Sequence, residues 1–159
     1  MYEFGLPQCD MRADMLTPEE VIENFDFLDD WEARYAYLVE LGEALPAMDD
    51  ALRIEANRVQ GCMSQVWVCP LVDPADPARL NYVGECDTAI IEGVLALLIE
   101  LMSGHTPDEI EALDLDHLFD ALKLAEHLSP NRHFGIYSMV ELMKAQAKAI
   151  APQTCAASP

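Results

Sequence analysis

Asp87-Thr88-Ala89-Ile90-Ile91-Glu92-Gly93-Val94-Leu95-Ala96-Leu97-Leu98-Ile99-Glu100-Leu101-Met102-Ser103-Gly104 is the stretch on which the fold turns. Between Ala89 and Met102 the only charges are Glu92 and Glu100, so the segment is apolar on nearly every side. A helix of that composition must be buried. It is predicted as the core helix, Thr88 to about Ser103, with Asp87 as its cap and Gly104 as its stop. The two glutamates break any run of about 18 uncharged apolar residues, so the stretch is not read as a membrane span.

A buried helix needs an apolar surface to lie on, and the residues just upstream supply one. Ser64 to Cys69, with Val66, Trp67 and Val68, is rich in β-formers, and so is Leu80 to Glu85, with Tyr82 and Val83. The turn-forming Asp73-Pro74-Ala75-Asp76-Pro77 separates them, which predicts an antiparallel hairpin. Asn57 to Gln60 is read as a short third strand, because a lone hairpin is marginal.

Helices are predicted on both sides of this sheet. Thr17-Pro18-Glu19-Glu20 is a capping box opening a helix to about Phe25, and Asp29 or Asp30 caps a second that ends near Pro46. These two are expected to pack as a hairpin. Downstream, Thr106-Pro107-Asp108-Glu109 repeats the capping box, Leu115 to Ala125 forms another helix, and Ser129-Pro130 starts the last, which runs to about Ile150. Phe134, Met139, Leu142 and Met143 are available to its inner face. The fold class is therefore α+β, a small antiparallel sheet packed against several α-helices. Residues 1-16 read as an extension, 17-150 as one domain and 151-159 as a frayed tail.

Composition narrows the function. With 29 acidic residues against 9 basic ones, the net charge of -20 repels nucleic-acid phosphates and anionic lipid alike, so neither is an expected partner. The first fifteen residues lack the basic start and unbroken apolar block of a signal peptide, and a cytoplasmic location is expected. The five cysteines, Cys9, Cys62, Cys69, Cys86 and Cys155, are odd in number and contain no C-x-x-C pair. They suit a reducing compartment. The four histidines show no metal-ligand spacing, and no metal is expected.

If the two strands pair antiparallel, the start of the first lies beside the end of the second. Cys62 then has Cys86 and Asp87 as neighbours, close to the N-terminus of the core helix, whose partial positive charge favours an anion. A thiolate would fit there, although a free cysteine is more often a small buried hydrophobe.

Val59-Gln60-Gly61-Cys62-Met63-Ser64-Gln65-Val66-Trp67 resembles the G-C-x-S-Q-V-W motif of the SufE and CsdE family. Asn24-Phe25, Trp31-Glu32, Arg34-Tyr35, Glu40-Leu41-Gly42, Leu45-Pro46, Asp87-Thr88-Ala89-Ile90-Ile91 and His127-Leu128-Ser129-Pro130-Asn131-Arg132 follow the same order, so the likeness spans about Thr17 to Ile150. The resemblance implies a fold similar to the scaffold IscU and a sulfur acceptor. By that resemblance a cysteine desulfurase of the SufS or CsdA kind, which holds its own pyridoxal phosphate, is expected to pass persulfide sulfur to Cys62. The sulfur then goes on to iron-sulfur cluster assembly, with a SufBCD-type scaffold as recipient. The acceptor itself needs no cofactor beyond the sulfur it carries.

Residue by residue, the resemblance makes Cys62 the acceptor. Gly61, Met63, Ser64, Gln65, Asp87, Arg132 and His127 become partner-binding or loop-supporting positions, while Cys86 is a departure from the family, an additional thiol that the hairpin geometry sets near the site as a candidate secondary thiol. Structural roles compete for four of these: Asp87 as helix cap, Arg132 as salt-bridge former, Gln65 and His127 as hydrogen-bonding anchors. Met63 departs from the family, which commonly has Gln there. An unperturbed thiol is only about 3% ionised at pH 7, so Cys62 needs nearby positive charge, from Arg132, the core-helix N-terminus or the desulfurase. The competing reading is a docking module that regulates a desulfurase without using Cys62 chemically. A thiol oxidoreductase would need a redox motif that the chain lacks. The oligomeric state is left as monomer or weak homodimer.

Overall fold

The computed structural model describes residues 17–28, 30–61, 65–123, 126 and 130–156, with backbone alone for 130–134 and 151–156. Chain order is α1 (Pro18–Phe27), α2 (Trp31–Glu43), single 3-10 turns at Asp50–Leu52 and Glu55–Asn57, β1 (Val66–Val72), β2 (Leu80–Cys86), α3 (Ala89–Met102), α4 (Pro107–Ala112), α5 (Leu115–Leu122) and α6 (Pro130–Ala156).

Local chemistry starts the helices where the sequence predicts. Both capping boxes form: Thr17 Oγ1 accepts from the Glu20 amide at 3.2 Å and Thr106 Oγ1 from the Glu109 amide at 3.2 Å, each glutamate reaching back to its cap residue. Asp30 Oδ1 accepts from the Ala33 amide at 2.8 Å and opens α2. The orphan carbonyls at the end of α1 are met by a side chain. Arg34 Nε donates to Phe25 O at 3.0 Å and to Leu28 O at 3.1 Å, while its guanidinium lies 5.7 Å from the Phe25 ring centroid.

The expected α1–α2 hairpin takes a different form. The two helices meet at a corner around Phe25, whose ring stands edge-on to Trp31 and Tyr37 at 6.0 Å. Instead, α2 lies along α3. A Cβ on Gly93 would run into the Leu38 carbonyl, and one on Gly42 would come within 2.9 Å of Gly93 N. Two glycines thus let the helix backbones approach closer than any side chain would permit.

The sheet is a two-stranded antiparallel hairpin in which Val66 pairs with Cys86, Val68 with Gly84, Pro70 with Tyr82 and Val72 with Leu80. β1 runs two residues later than predicted at its start and three later at its end, passing through Pro70. Register explains the proline. Leu80 N donates to His105 O and Leu80 O accepts from Gly104 N, so the backbone groups of Leu80 point away from β1. Pro70, opposite Tyr82 two residues on, therefore turns its missing N–H to the outer edge, where no ladder bond is lost. Gln146 Nε2 covers the same edge by donating to Val68 O at 2.8 Å.

Val66, Val68, Leu80, Tyr82 and Cys86 share the buried face, which α3 and α6 cover. The prediction for α3 holds, from Ile91 to Met102 almost without an exposed residue. Tyr82 Oη donates to Met143 O at 2.7 Å and joins the sheet to α6. On α6 the inner face is Ile136, Met139, Val140, Met143 and Ala147, with Leu142 half-buried, whereas the Phe134 side chain lies outside the described residues.

Three further features differ from expectation. α5 stops at Leu122 because Lys123 takes the left-handed conformation, φ 58°. α6 continues past Ile150 and through Pro152 to Ala156, where the sequence suggests fraying. The third strand at Asn57–Gln60 is reduced to one bridge, Arg58 to Trp67. No helix of the described residues is long and apolar enough to cross a membrane.

Candidate functional site

The described residues that flank the predicted acceptor lie at the open end of the hairpin, where the ladder extends one residue past β2. Gln65 N donates to Asp87 Oδ1 at 3.1 Å, and Asp87 N donates to Gln65 O at 3.2 Å. The Asp87 carboxylate also accepts from the Thr88 hydroxyl at 3.2 Å. The sequence predicts Asp87 as the cap of the core helix, and here the structure differs. The N-cap is Thr88, without a side-chain capping bond, and the carboxylate of Asp87 is turned to Gln65 instead. The reason is geometric: the antiparallel register sets Gln65 opposite Asp87, and the Gln65 amide needs an acceptor.

The upstream arm is tied to the same strand. Val59 N donates to Val66 O at 2.8 Å, Arg58 bridges Trp67, and the chain then turns at Gln60 and Gly61. Gly61 has φ 83°, in the left-handed region, where a Cβ would be strained. The chain therefore enters the next three residues at Gly61 and leaves them at Gln65, with both flanks fixed to the same end of one hairpin.

Those three residues are Cys62, Met63 and Ser64, and they lie outside the described residues, as does His127. Arg132 falls in the first turn of α6, with its side chain outside the description. Of the predicted site residues the structure joins Gln65 to Asp87 and sets Cys86 opposite Val66, the neighbour of Gln65, while Gly61 follows two residues after Val59, which bonds Val66.

Cys86 is 8% exposed and faces the core. Its Sγ accepts from Thr88 N at 3.4 Å and lies 3.6 Å from Thr88 O, so the amide of the α3 N-cap residue is directed at this sulfur. Cys69, in the middle of β1, is half-buried, and burial raises its thiol above the ordinary range, with a smaller opposing effect from Asn57. It is a poor source of thiolate.

Sequence reasoning missed a set of residues behind the loop. Arg53 Nε and Nη2 form a two-pronged bond with Glu85, at 3.0 and 2.9 Å, and Nη2 also donates to Met48 O at 3.2 Å. Nη1 pairs with Asp50. The guanidinium holds the Glu85 carboxyl below the usual carboxylate range. Asn57 Nδ2 donates to Leu52 O at 2.8 Å, and Asn57 Oδ1 accepts from Gln146 Nε2 at 3.2 Å. These bonds span 3 to 89 positions, and no local pattern could signal the pairing of Arg53 with Glu85 or of Asn57 with Gln146. They replace regular secondary structure in the arm from Met48 to Asn57. They also show that the charge of Arg53 is already matched by two carboxylates and is not free for a thiolate.

Residues 19–147 match the model of the SufE family, described as an Fe-S metabolism associated domain. The chain belongs to the SufE family. A SufE-like protein of Rhizobium meliloti (strain 1021) is 39% identical over 139 residues, covering 87% of this chain and 99% of that relative. A second, from Rhizobium etli, is 40% identical over 139 residues, covering 86% and 93%. Both carry the description uncharacterized. A solution structure of a hypothetical protein from Thermus thermophilus superposes with a TM-score of 0.70 at 19% identity, over 85% of this chain and 96% of that one, and bears out the α+β fold. Membership of the SufE family implies a sulfur-transfer role alongside a cysteine desulfurase.

Proposed function

We propose that the protein accepts persulfide sulfur on Cys62 from a SufS-type cysteine desulfurase, stimulates that enzyme, and hands the sulfur on to a SufBCD-type scaffold for iron-sulfur cluster assembly. The observation that supports this reading is that the two flanks of the Cys62 motif, Val59 bonded to Val66 and Gln65 bonded to Asp87, are both anchored at the open end of the hairpin, within the span matched by the family. A short loop held at both ends can present one thiol to a partner without a large search of conformations.

The chemistry is thiol exchange. The Cys62 thiolate attacks the outer sulfur of the donor persulfide, a new S–S bond forms on Cys62, and the old S–S bond breaks with its electron pair leaving on the donor cysteine as thiolate. Charge and atoms balance without an oxidant, a metal or a cofactor of the acceptor. With Arg53 already paired, the positive charge that favours ionisation has to come from the α3 N-terminus, from Arg132 or from the desulfurase. The two described cysteines are poorly suited to the role: Cys69 by its raised pKa, Cys86 by its burial.

Replacing the thiol tests the reading. Cys62→Ser should abolish stimulation of desulfurase turnover while the two proteins still bind, and replacing Cys9, Cys69, Cys86 or Cys155 singly should leave stimulation in place. If the Cys62→Ser protein stimulates as well as the parent, the protein is a docking regulator and not a sulfur acceptor.

A further inference from the structure

We infer that Arg53 and Glu85 form a clamp that seats the arm leading into Gly61 against the sheet, so that it acts on the approach to Cys62, a role that rests on the sulfur-acceptor reading of Cys62. The pair joins parts of the chain that no secondary structure joins. Arg53 belongs to the irregular arm between α2 and β1, and Glu85 sits on β2, opposite Trp67 and two residues before Asp87. One guanidinium thus binds Glu85, Asp50 and the Met48 carbonyl together. Downstream along the same arm come Arg58, which bridges Trp67, and Val59, which bonds Val66. The loop that follows is held directly at its Gln65 end by Asp87. Its Gly61 end depends on how firmly this arm is seated.

Geometry separates the pair from an ordinary surface ion pair. The contact is two-pronged, its side chains are 29% and 33% exposed, and it closes a span of 32 positions. The other ion pairs of the arm, Arg53 with Asp50 and Arg58 with Glu55, each span three positions and cannot hold the arm against the sheet. Lysine would not substitute, because a single ammonium lacks the planar fork that spans both oxygens of Glu85 and the Met48 carbonyl. Arg53 and Glu85 are positioning residues. They hold the arm in place without taking part in sulfur exchange.

The test uses Arg53→Met, Glu85→Gln, the double variant and Arg53→Lys in the full-length protein. Amide hydrogen exchange is read at Val59 and at Leu98, and alkylation of Cys62 is followed by site-resolved mass spectrometry. The clamp predicts that Arg53→Met and Glu85→Gln each speed Val59 exchange by about fivefold, the upper range for a partly exposed pair, while Leu98 in the core helix is unchanged. Cys62 labelling should change with Val59, Arg53→Lys should behave like Arg53→Met, and the double variant should be no worse than either single one, because all break the same link. In desulfurase assays the KM for this protein should rise while the saturating rate is retained.

Equal acceleration at Val59 and Leu98 would show general destabilisation and overturn the proposal. So would effects that multiply in the double variant, or exchange at Val59 no faster than in the parent. Failure of the sulfur-acceptor reading appears separately, as a parent protein that never gains sulfur on Cys62, whatever the exchange data show.

Discussion

Gly93→Ala sets two well-known effects against each other. In an isolated helix the change stabilises by about 1 kcal/mol, because alanine loses less backbone entropy than glycine on becoming helical. In this protein the added methyl would enter the Leu38 carbonyl, and the backbone of α2 cannot rotate away as a side chain could. The helices must separate, which opens the seam that buries Leu38 and Leu97, each 1% exposed. Overpacking of a filled interior costs about 1–3 kcal/mol, and a clash with main chain belongs at the top of that range.

Subtracting the propensity gain leaves a net loss of about 2 kcal/mol. With about 2.1 cal/mol/K of unfolding entropy per residue, the 159 residues give roughly 330 cal/mol/K, so the midpoint should fall by about 6 °C. Thermal and urea unfolding of parent and variant measure it directly. Displacing α3 also moves Thr88 and Asp87 away from Gln65, so exchange of the Gln65 amide should accelerate more than the stability change alone requires. An unchanged or raised midpoint would refute the close α2–α3 crossing on which the platform beneath the site depends.

Asp87→Ala removes the acceptor for the Gln65 amide at an exposed position; it should lower stability by only about 1 kcal/mol yet speed Gln65 exchange several-fold, and equal protection in the variant would sink the brace. Glu109 accepts from the Thr106 amide, Arg79 and His105, with the backbone bond to Thr106 the largest cause holding its carboxyl below the ordinary 4.5. A depressed carboxylate contributes stability above that value and loses it as pH falls through the folded-state pKa. Parent minus Glu109→Gln should therefore be about 0.5 kcal/mol at neutral pH, discounted for a half-exposed group, and vanish on acidification below 4.5; a difference constant with pH would contradict it. Tyr82→Phe leaves the Met143 carbonyl without its buried donor, for which chemical denaturation should report a loss of about 1 kcal/mol, and a neutral change would detach the sheet from α6.

Much of this architecture is legible because it is written in local chemistry. Capping boxes at Thr17 and Thr106, the apolar run of α3 and the β-rich segments around Trp67 and Tyr82 each announce themselves within a few residues. The hairpin register follows from antiparallel pairing, which is why Cys86 and Asp87 can be set at the start of β1, beside Val66 and Gln65, from sequence. What escapes is non-local. A carboxylate before a helix reads as a cap, so the role of Asp87 is misread until pairing supplies a competing donor at Gln65. Pro70 hides the second half of β1, since a proline argues against a strand until its edge register is known. Nothing near Arg53 in the sequence points to Glu85, and α2 is matched to the wrong helix because Gly42 and Gly93 signal a close approach only once they face each other.

Intact mass spectrometry tests the sulfur-acceptor account most directly. The protein is incubated with a SufS-type desulfurase and L-cysteine, reductant is removed, and peptide mapping follows. One added sulfur, a gain of about 32 Da, should appear on the peptide holding Cys62 and vanish on treatment with thiol reductant. A parent protein that stimulates the desulfurase while its mass stays unchanged, or sulfur that settles on Cys69 or Cys86 instead, would contradict the account.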